Sequence, residues 1–346
     1  MEKVFAINPI NLMQGAKMQE YVNSLTKPQG SLGAVEEIAI QLAQITGKDF
    51  PEVTPPGIIV FAADHGVASE GVSAYPQEVT VQMVHNFLDG GAAINVLGKQ
   101  IKAKVEIVDI GVAADVDRVG LHMKKIRHGT ANFLKGDAMT REETWQAIEV
   151  GSDMATSVIE NGAKCLIIGE MGIGNTTSSS AILSALSGLG VEEVIGTGTG
   201  ISVDQLKRKQ QVIRQSLQER NPDPTDPIDT LSKVGGLEIA GMVGAILSAA
   251  EHKIPVLVDG FISTVAALIA KKLYPEVNGY LFIGHHSMEA GHKHAIMLLD
   301  KKPILNLGLR LGEGSGAALA FPILEAATNI VKEMATFESA GVAEKI

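Results

Sequence analysis

The chain has 346 residues, of which 45% are hydrophobic and only 4% aromatic, with 37 glycines and a formal net charge of −10. That length accommodates a substantial core in one large domain with an appendage, or in two domains. The acidic balance, with no long basic run, argues against nucleic acid or an anionic membrane surface as partner, and the absence of a signal-type N-terminus or a membrane-length apolar stretch predicts a soluble cytoplasmic protein.

The first elements read as helices over residues 13–25 and 31–46, separated by Lys27-Pro28-Gln29-Gly30-Ser31-Leu32-Gly33. Pro and Gly break the first helix, and Ser31 is expected to cap the second. Leu32, Val35, Ile38, Leu42 and Ile45 then form an apolar stripe at helical spacing. This strandless opening suggests a layer separate from any sheet.

After a proline-rich connector, Ile58–Ala63 reads as a buried strand ending in Asp64-His65-Gly66-Val67. Polar residues at the carboxyl end of such a strand are where open α/β sheets place ligands. Tyr75-Pro76 opens a helix that Gly90-Gly91 breaks, and Ala92–Leu97 starts another. Further strands are predicted at Val105–Asp109, Cys165–Ile168, Ile254–Val258, Tyr280–Ile283 and Ile304–Leu307, alternating with helices that include 141–161, 178–187, 203–219 and 262–273. Cys165, the only cysteine, reads as a small core residue; it excludes an internal disulfide and a cysteine-based metal site. About six apolar strands alternating with helices predict a parallel sheet covered on both faces, with too few strands for a closed eight-stranded barrel.

Three glycine segments stand out as candidate chemistry. Gly169-Glu170-Met171-Gly172-Ile173-Gly174-Asn175-Thr176-Thr177 follows a strand and opens a helix, and Gly196-Thr197-Gly198-Thr199-Gly200 precedes another. Backbone N–H groups at such helix starts can cradle a phosphate, although neither segment is a P-loop or a dinucleotide fingerprint and tight turns also account for each. Lys209 lies in the following helix, either as a cation for the phosphate or on a solvated face. In the third segment, Leu311-Gly312-Glu313-Gly314-Ser315-Gly316, a carboxylate sits between glycines before an apolar helical run. A flat ligand can approach Glu313 closely, and dry surroundings would make it a better base; an exposed glutamate at a helix start is the alternative. His285-His286-Ser287-Met288-Glu289-Ala290-Gly291-His292-Lys293-His294 invites a metal reading, but matches no zincin spacing. Structural or substrate-facing roles at a strand end are favoured instead.

Together these motifs resemble the nicotinate-nucleotide–dimethylbenzimidazole phosphoribosyltransferase family. The resemblance runs in order from Lys27 to Ala320 through Ala63-Asp64-His65-Gly66-Val67, Glu70–Pro76, Gly90–Asn95, the segments 169–177 and 196–200, Asp259–Ser263 and Leu311–Gly316, with Ser315 where threonine is common. It implies a homodimer built on a Rossmann-like doubly wound parallel sheet. Residues 51–320 would form the large α/β domain, and residues 1–50 with 321–346 a small helical domain. The implied reaction moves phosphoribose from nicotinate mononucleotide to 5,6-dimethylbenzimidazole, with no metal or cofactor. Glu313 would be the catalytic base. Ser73, Tyr75, Gln77 and Gln82 would line the benzimidazole pocket, with Met171 and Leu311 as apolar walls. Glu170, Gly172, Gly174, Asn175, Thr176, Gly198 and Gly200 would hold the nucleotide, with Lys209 near its phosphate. Two rival readings are a non-catalytic nucleotide-binding protein, which would not need Glu313, and a metal-dependent hydrolase using Asp64, His65 and the 285–294 histidines.

Overall fold

The structure, a computed structural model, describes residues 3–196, 198 and 200–343. In chain order, α1 (Leu12–Ser24) and α2 (Ala34–Thr46) precede β1 (Pro56–Ala63), α3 (Val79–Asp89), α4 (Ala93–Gln100), β2 (Lys104–Gly111) and β3 (Leu121–Met123). There follow α5 (Arg141–Glu160), β4 (Cys165–Met171), α6 (Asn175–Ser187), α7 (Val191–Val194), α8 (Val203–Arg220), α9 (Pro227–Val234) and α10 (Leu237–Glu251). The chain closes with β5 (Val256–Val258), α11 (Phe261–Leu273), β6 (Leu281–His285), α12 (His292–Leu299), β7 (Pro303–Leu305), α13 (Ser315–Glu333) and α14 (Phe337–Ala340).

The strands form one sheet in the order β3-β2-β1-β4-β5-β6-β7, and every pairing is parallel. Strands such as β1 are buried along their whole length, because helices cover both faces and leave no side for water. One face carries α5, α10 and α11; the other carries α3, α4 and α13. The sheet is open, and its seventh strand, β3, lies beyond the six expected. It has three residues and no buried position, so it lacks the apolar run that marks the others.

Close packing on the first face depends on missing side chains. A Cβ on Gly151 of α5 would fall 1.8 Å from the Gly241 carbonyl oxygen of α10, and one on Gly244 would fall 1.8 Å from the Ile148 oxygen. The two helices thus meet backbone to backbone, and α10 is buried from Leu237 to Ala250.

The helix starts differ from expectation in three places. The second helix begins at Ala34 behind Gly33, whose φ is 55°, and Ser31 does not cap it. Instead Glu36 Oε1 accepts the Leu32 N–H at 2.9 Å and pairs with the buried Lys27 ammonium at 2.8 Å. Helix α6 starts at Asn175, three residues earlier than expected, so the glycine turn runs directly into it. Helix α3 starts at Val79, leaving Pro76 in the approach to it. At the periphery α1 packs on α2 and α2 on α13, and Leu25 bridges to Thr336.

Candidate active site

Since all the strands run one way, their carboxyl ends lie together, and the order places a topological switch between β1 and β4. A cavity of about 710 Å³ opens at this end of the sheet, within the size range of small-molecule sites. Its wall comes from the ends of the strands and the segments after them, at β4 (Glu170 to Ile173, Asn175 and Thr176), β5 (Gly260 to Ser263), β6 (His285, Ser287, Glu289) and β7 (Gly308 to Glu313), with Gly198, closed by Tyr75, Val79 and Met83.

At one end sits Glu313, 6% exposed. Burial raises its carboxyl above the usual range, the Ile94 N–H opposes the rise, and the negative Asp259 adds to it. Glu313 Oε2 accepts that Ile94 N–H at 3.4 Å. The turn also needs a glycine on the strand beneath it. A Cβ on Gly169 would lie 2.2 Å from the Glu313 carbonyl oxygen, so the strand can pass beneath the turn only without a side chain there. Glu170 is buried beside it, hydrogen-bonded to Asn175 Nδ2. Burial, with the charges of Asp259, Glu238 and Glu313, pushes the Glu170 carboxyl well up, although it accepts a hydrogen bond from the Glu313 backbone.

The other end of the cavity carries the opposite charge. Lys209 is 1% exposed, and its Nζ donates to Thr176 Oγ1 at 3.0 Å. Burial pushes the ammonium down to about 8, while Glu289 opposes the fall. The solvated-face alternative for Lys209 is therefore corrected. Lys209, Val212, Ile213 and Ser216 are the buried positions of α8, a one-face spacing already present in the sequence. Gly198 lies against this pair: a Cβ there would come 2.8 Å from Thr176 Oγ1 and 3.4 Å from Lys209 Nζ. The Arg310 guanidinium reaches the Gly198 carbonyl at 3.4 Å. The first turn of α6 has no side-chain cap, and its residues Asn175 and Thr176 face the cavity. These groups make that end fit for a phosphate.

Two of the histidines have both ring nitrogens engaged by protein groups. His292 Nδ1 accepts the Ser287 N–H at 2.8 Å and its Nε2 lies 2.9 Å from Thr264 Oγ1. Both ring nitrogens are thus taken. Burial, followed by the charges of His285 and His286, pushes this imidazole down to about 3; the neutral ring ties the segment after β6 to α11. His65 is likewise used up, with Nδ1 2.9 Å from Ser178 Oγ and Nε2 2.6 Å from Glu238 Oε1. Asp64 Oδ2 accepts the Ala113 N–H at 2.8 Å. Among the described residues no group of three or more His, Cys, Asp or Glu is placed to hold a metal ion.

Of the residues singled out in the sequence, Tyr75, Glu170, Met171, Gly172, Asn175, Thr176, Gly198, Leu311 and Glu313 share this one cavity. Gly174 is the N-cap of α6, directly behind the wall, and Lys209 reaches it through Thr176. Gly200 is exposed. Thr197 and Thr199 lie outside the described residues. Ser73 is beside the mouth, its hydroxyl accepting the Tyr75 N–H at 3.2 Å. The described wall does not include Ser73, Gln77 or Gln82. The wall also takes in His285 and Glu289 from the histidine segment and Phe261 and Ser263 from the 259–263 motif, whereas Val79, Met83 and Arg310 were missed by sequence reasoning. Arg310 follows β7, and its position after that predicted strand was the available signal.

A family model described as phosphoribosyltransferase matches residues 7–342 of the chain. The nicotinate-nucleotide–dimethylbenzimidazole phosphoribosyltransferase of Halalkalibacterium halodurans is 53% identical over 345 residues, covering 100% of this chain and 97% of the relative. The enzyme of the same name from Geobacter sulfurreducens is 51% identical, covering 99% and 98%. Among solved structures, CobT from Thermus thermophilus superposes with a TM-score of 0.93 at 44% identity, over 96% of this chain and 100% of that one.

Proposed function

The chain belongs to the nicotinate-nucleotide–dimethylbenzimidazole phosphoribosyltransferase family, and from that membership we propose how its own residues perform the transfer. Nicotinate mononucleotide lies with its phosphate at the Lys209 end and its ribose toward Glu313; 5,6-dimethylbenzimidazole enters beside Tyr75, Met171 and Leu311. One benzimidazole nitrogen attacks C1′ from the face opposite the nicotinate. The C1′–N bond breaks and its electron pair neutralises the pyridinium nitrogen, so nicotinate departs without being protonated. Positive charge develops at C1′, as at other glycosidic centres. Glu313 takes the proton from the second benzimidazole nitrogen, and its charge favours the cationic intermediate in dry surroundings. The products are α-ribazole 5′-phosphate and nicotinate.

The observation that carries this reading is the buried carboxylate of Glu313 facing the same cavity as the Thr176–Lys209 pair. Glu170, Gly172, Gly174, Asn175, Thr176, Gly198 and Gly200 hold the nucleotide, with Lys209 on its phosphate. Ser73, Gln77 and Gln82 line the benzimidazole side with Tyr75, whose N–H the Ser73 hydroxyl accepts. Holding both substrates in line supplies much of the remaining rate. The test is incubation with the two substrates and identification of the product and its anomeric configuration. A β-linked product, or none, overturns the reading.

The functional unit is proposed to be a homodimer acting in the cytoplasm. Tyr75, Met288, Leu307 and Leu311 are each more than half exposed around the mouth, an apolar rim that a second copy can cover. Sedimentation as a monomer at working concentration would count against it. The first 50 residues, together with those from 321 onward, are proposed as a helical domain beside the sheet, supported by the packing of α1, α2 and α13.

A further inference from the structure

The turn that carries Glu313 is kept in an uncommon backbone state by groups outside it. Gly312, Glu313 and Gly314 have φ of 95°, 65° and 90°. Glycine adopts such angles freely, but at Glu313 the Cβ opposes them, and such a state persists only where the surroundings over-determine it. Asp259, just after β5 and 1% exposed, supplies that constraint. Its Oδ2 accepts the Gly314 N–H at 3.2 Å and its Oδ1 accepts the Ala317 N–H at 2.9 Å. One carboxylate thus closes both the turn and the start of α13. His285, at the end of β6, sets Nε2 3.5 Å from Asp259 Oδ1. Its ring lies against the helix start so closely that a Cβ on Gly316 would fall 2.0 Å from Cδ2.

We propose that Asp259, oriented by His285, is the positioning residue for Glu313, fixing the left-handed turn and setting the electrostatic surroundings in which Glu313 takes up its proton. The inference rests on Glu313 being the base. The charged and titratable groups around Glu313 are Asp259 after β5, Glu170 on β4 and, next to Asp259, His285 on β6; α4 offers the Ile94 N–H. Burial raises the Asp259 carboxyl, with His285 and the backbone N–H groups at the start of α13 opposing the rise, and a negative Asp259 in turn raises the Glu313 carboxyl.

The test is the pH profile of transfer for Asp259→Asn and His285→Gln in the full chain. In Asp259→Asn the side-chain amide keeps one acceptor oxygen but turns an NH₂ toward the second backbone amide. The kcat of this variant should fall about 100-fold, with KM for nicotinate mononucleotide changed less than about threefold, because misplacement acts on the reacting step. Removing the neighbouring negative charge should also move the acid limb of kcat/KM to lower pH by about half a unit. His285→Gln removes the neighbour that favours the charged form of Asp259, so less negative charge faces Glu313 and the acid limb should move to lower pH in the same sense. A purely structural part would lower Tm and scale activity equally at every pH. Acid limbs unmoved in both variants, or a folded Asp259→Asn with near-native kcat, overturns the proposal. If Asp259→Asn does not fold, the limb of His285→Gln decides alone. Glu313→Gln separates the two readings. Retained turnover there removes the base itself, whereas lost turnover beside silent Asp259 and His285 variants removes only the positioning role.

Discussion

The two ends of the cavity bury opposite charges, and they hold them differently. Glu313 rests on a turn clamped by three carboxylate-accepted N–H groups, from Glu313 itself to Glu170 and from Gly314 and Ala317 to Asp259. Lys209 is the tip of a flexible side chain from α8 with one hydrogen bond, to Thr176, and one opposing charge, Glu289. A base that must meet a proton at one point of the reaction needs a fixed position. A cation that must accept a mobile phosphate needs reach. Desolvation moves both groups toward neutrality, the acid upward and the ammonium downward.

The largest effect should come from the clamped end. Glu313→Gln is expected to lower kcat about 1,000-fold, with nucleotide affinity within about threefold by titration calorimetry. An unchanged kcat would erase the contrast between the ends. Lys209→Met should do the reverse, raising KM for nicotinate mononucleotide about 30-fold with kcat nearly kept, as fits loss of one charge-assisted contact to phosphate.

The two ends should also respond to pH in opposite senses. Lys209 is protonated below about 8 and loses its charge as pH rises through that value, so nucleotide KM should climb above pH 8. Glu313 must be ionised to act, and its carboxyl lies above the usual range, so kcat/KM should fall on the acid side. Steady-state profiles of both constants check this pairing. The smallest effect concerns the neighbouring latch. His292 is held neutral down to about 3, while its unfolded form binds a proton near its ordinary value. The native state therefore loses stability as pH falls from about 6.5 toward 3. In His292→Asn the drop in Tm between pH 7 and pH 5 should be smaller by about 3 °C, read by calorimetry.

Much of this was legible in the chain. The apolar runs of β1, β4, β5 and β6 were legible because burial on both faces leaves no polar alternation to confuse the reading. Glu313 was legible because glycines on either side of a carboxylate before a helix require an unusual backbone, and the turn has one. The edge strand β3 escaped because Leu121-His122-Met123 is only three residues long and has no continuous apolar run. Ser31 misled because local capping propensity lost to the buried Lys27–Glu36 pair, a contact nine residues apart in sequence. Arg310 joins His285 and Glu289 on one wall only once β6 and β7 are laid side by side, and no local pattern announces that.

The solitary Cys165 has a practical consequence. It is wholly inaccessible, and its thiol is pushed up to about 12, so it stays inert to maleimides at neutral pH. A cysteine introduced at Lys104, exposed at the amino end of β2, would be the single reactive handle without any prior removal. Tethered there to a bead or sensor chip, the molecule would present its cavity outward, away from the support.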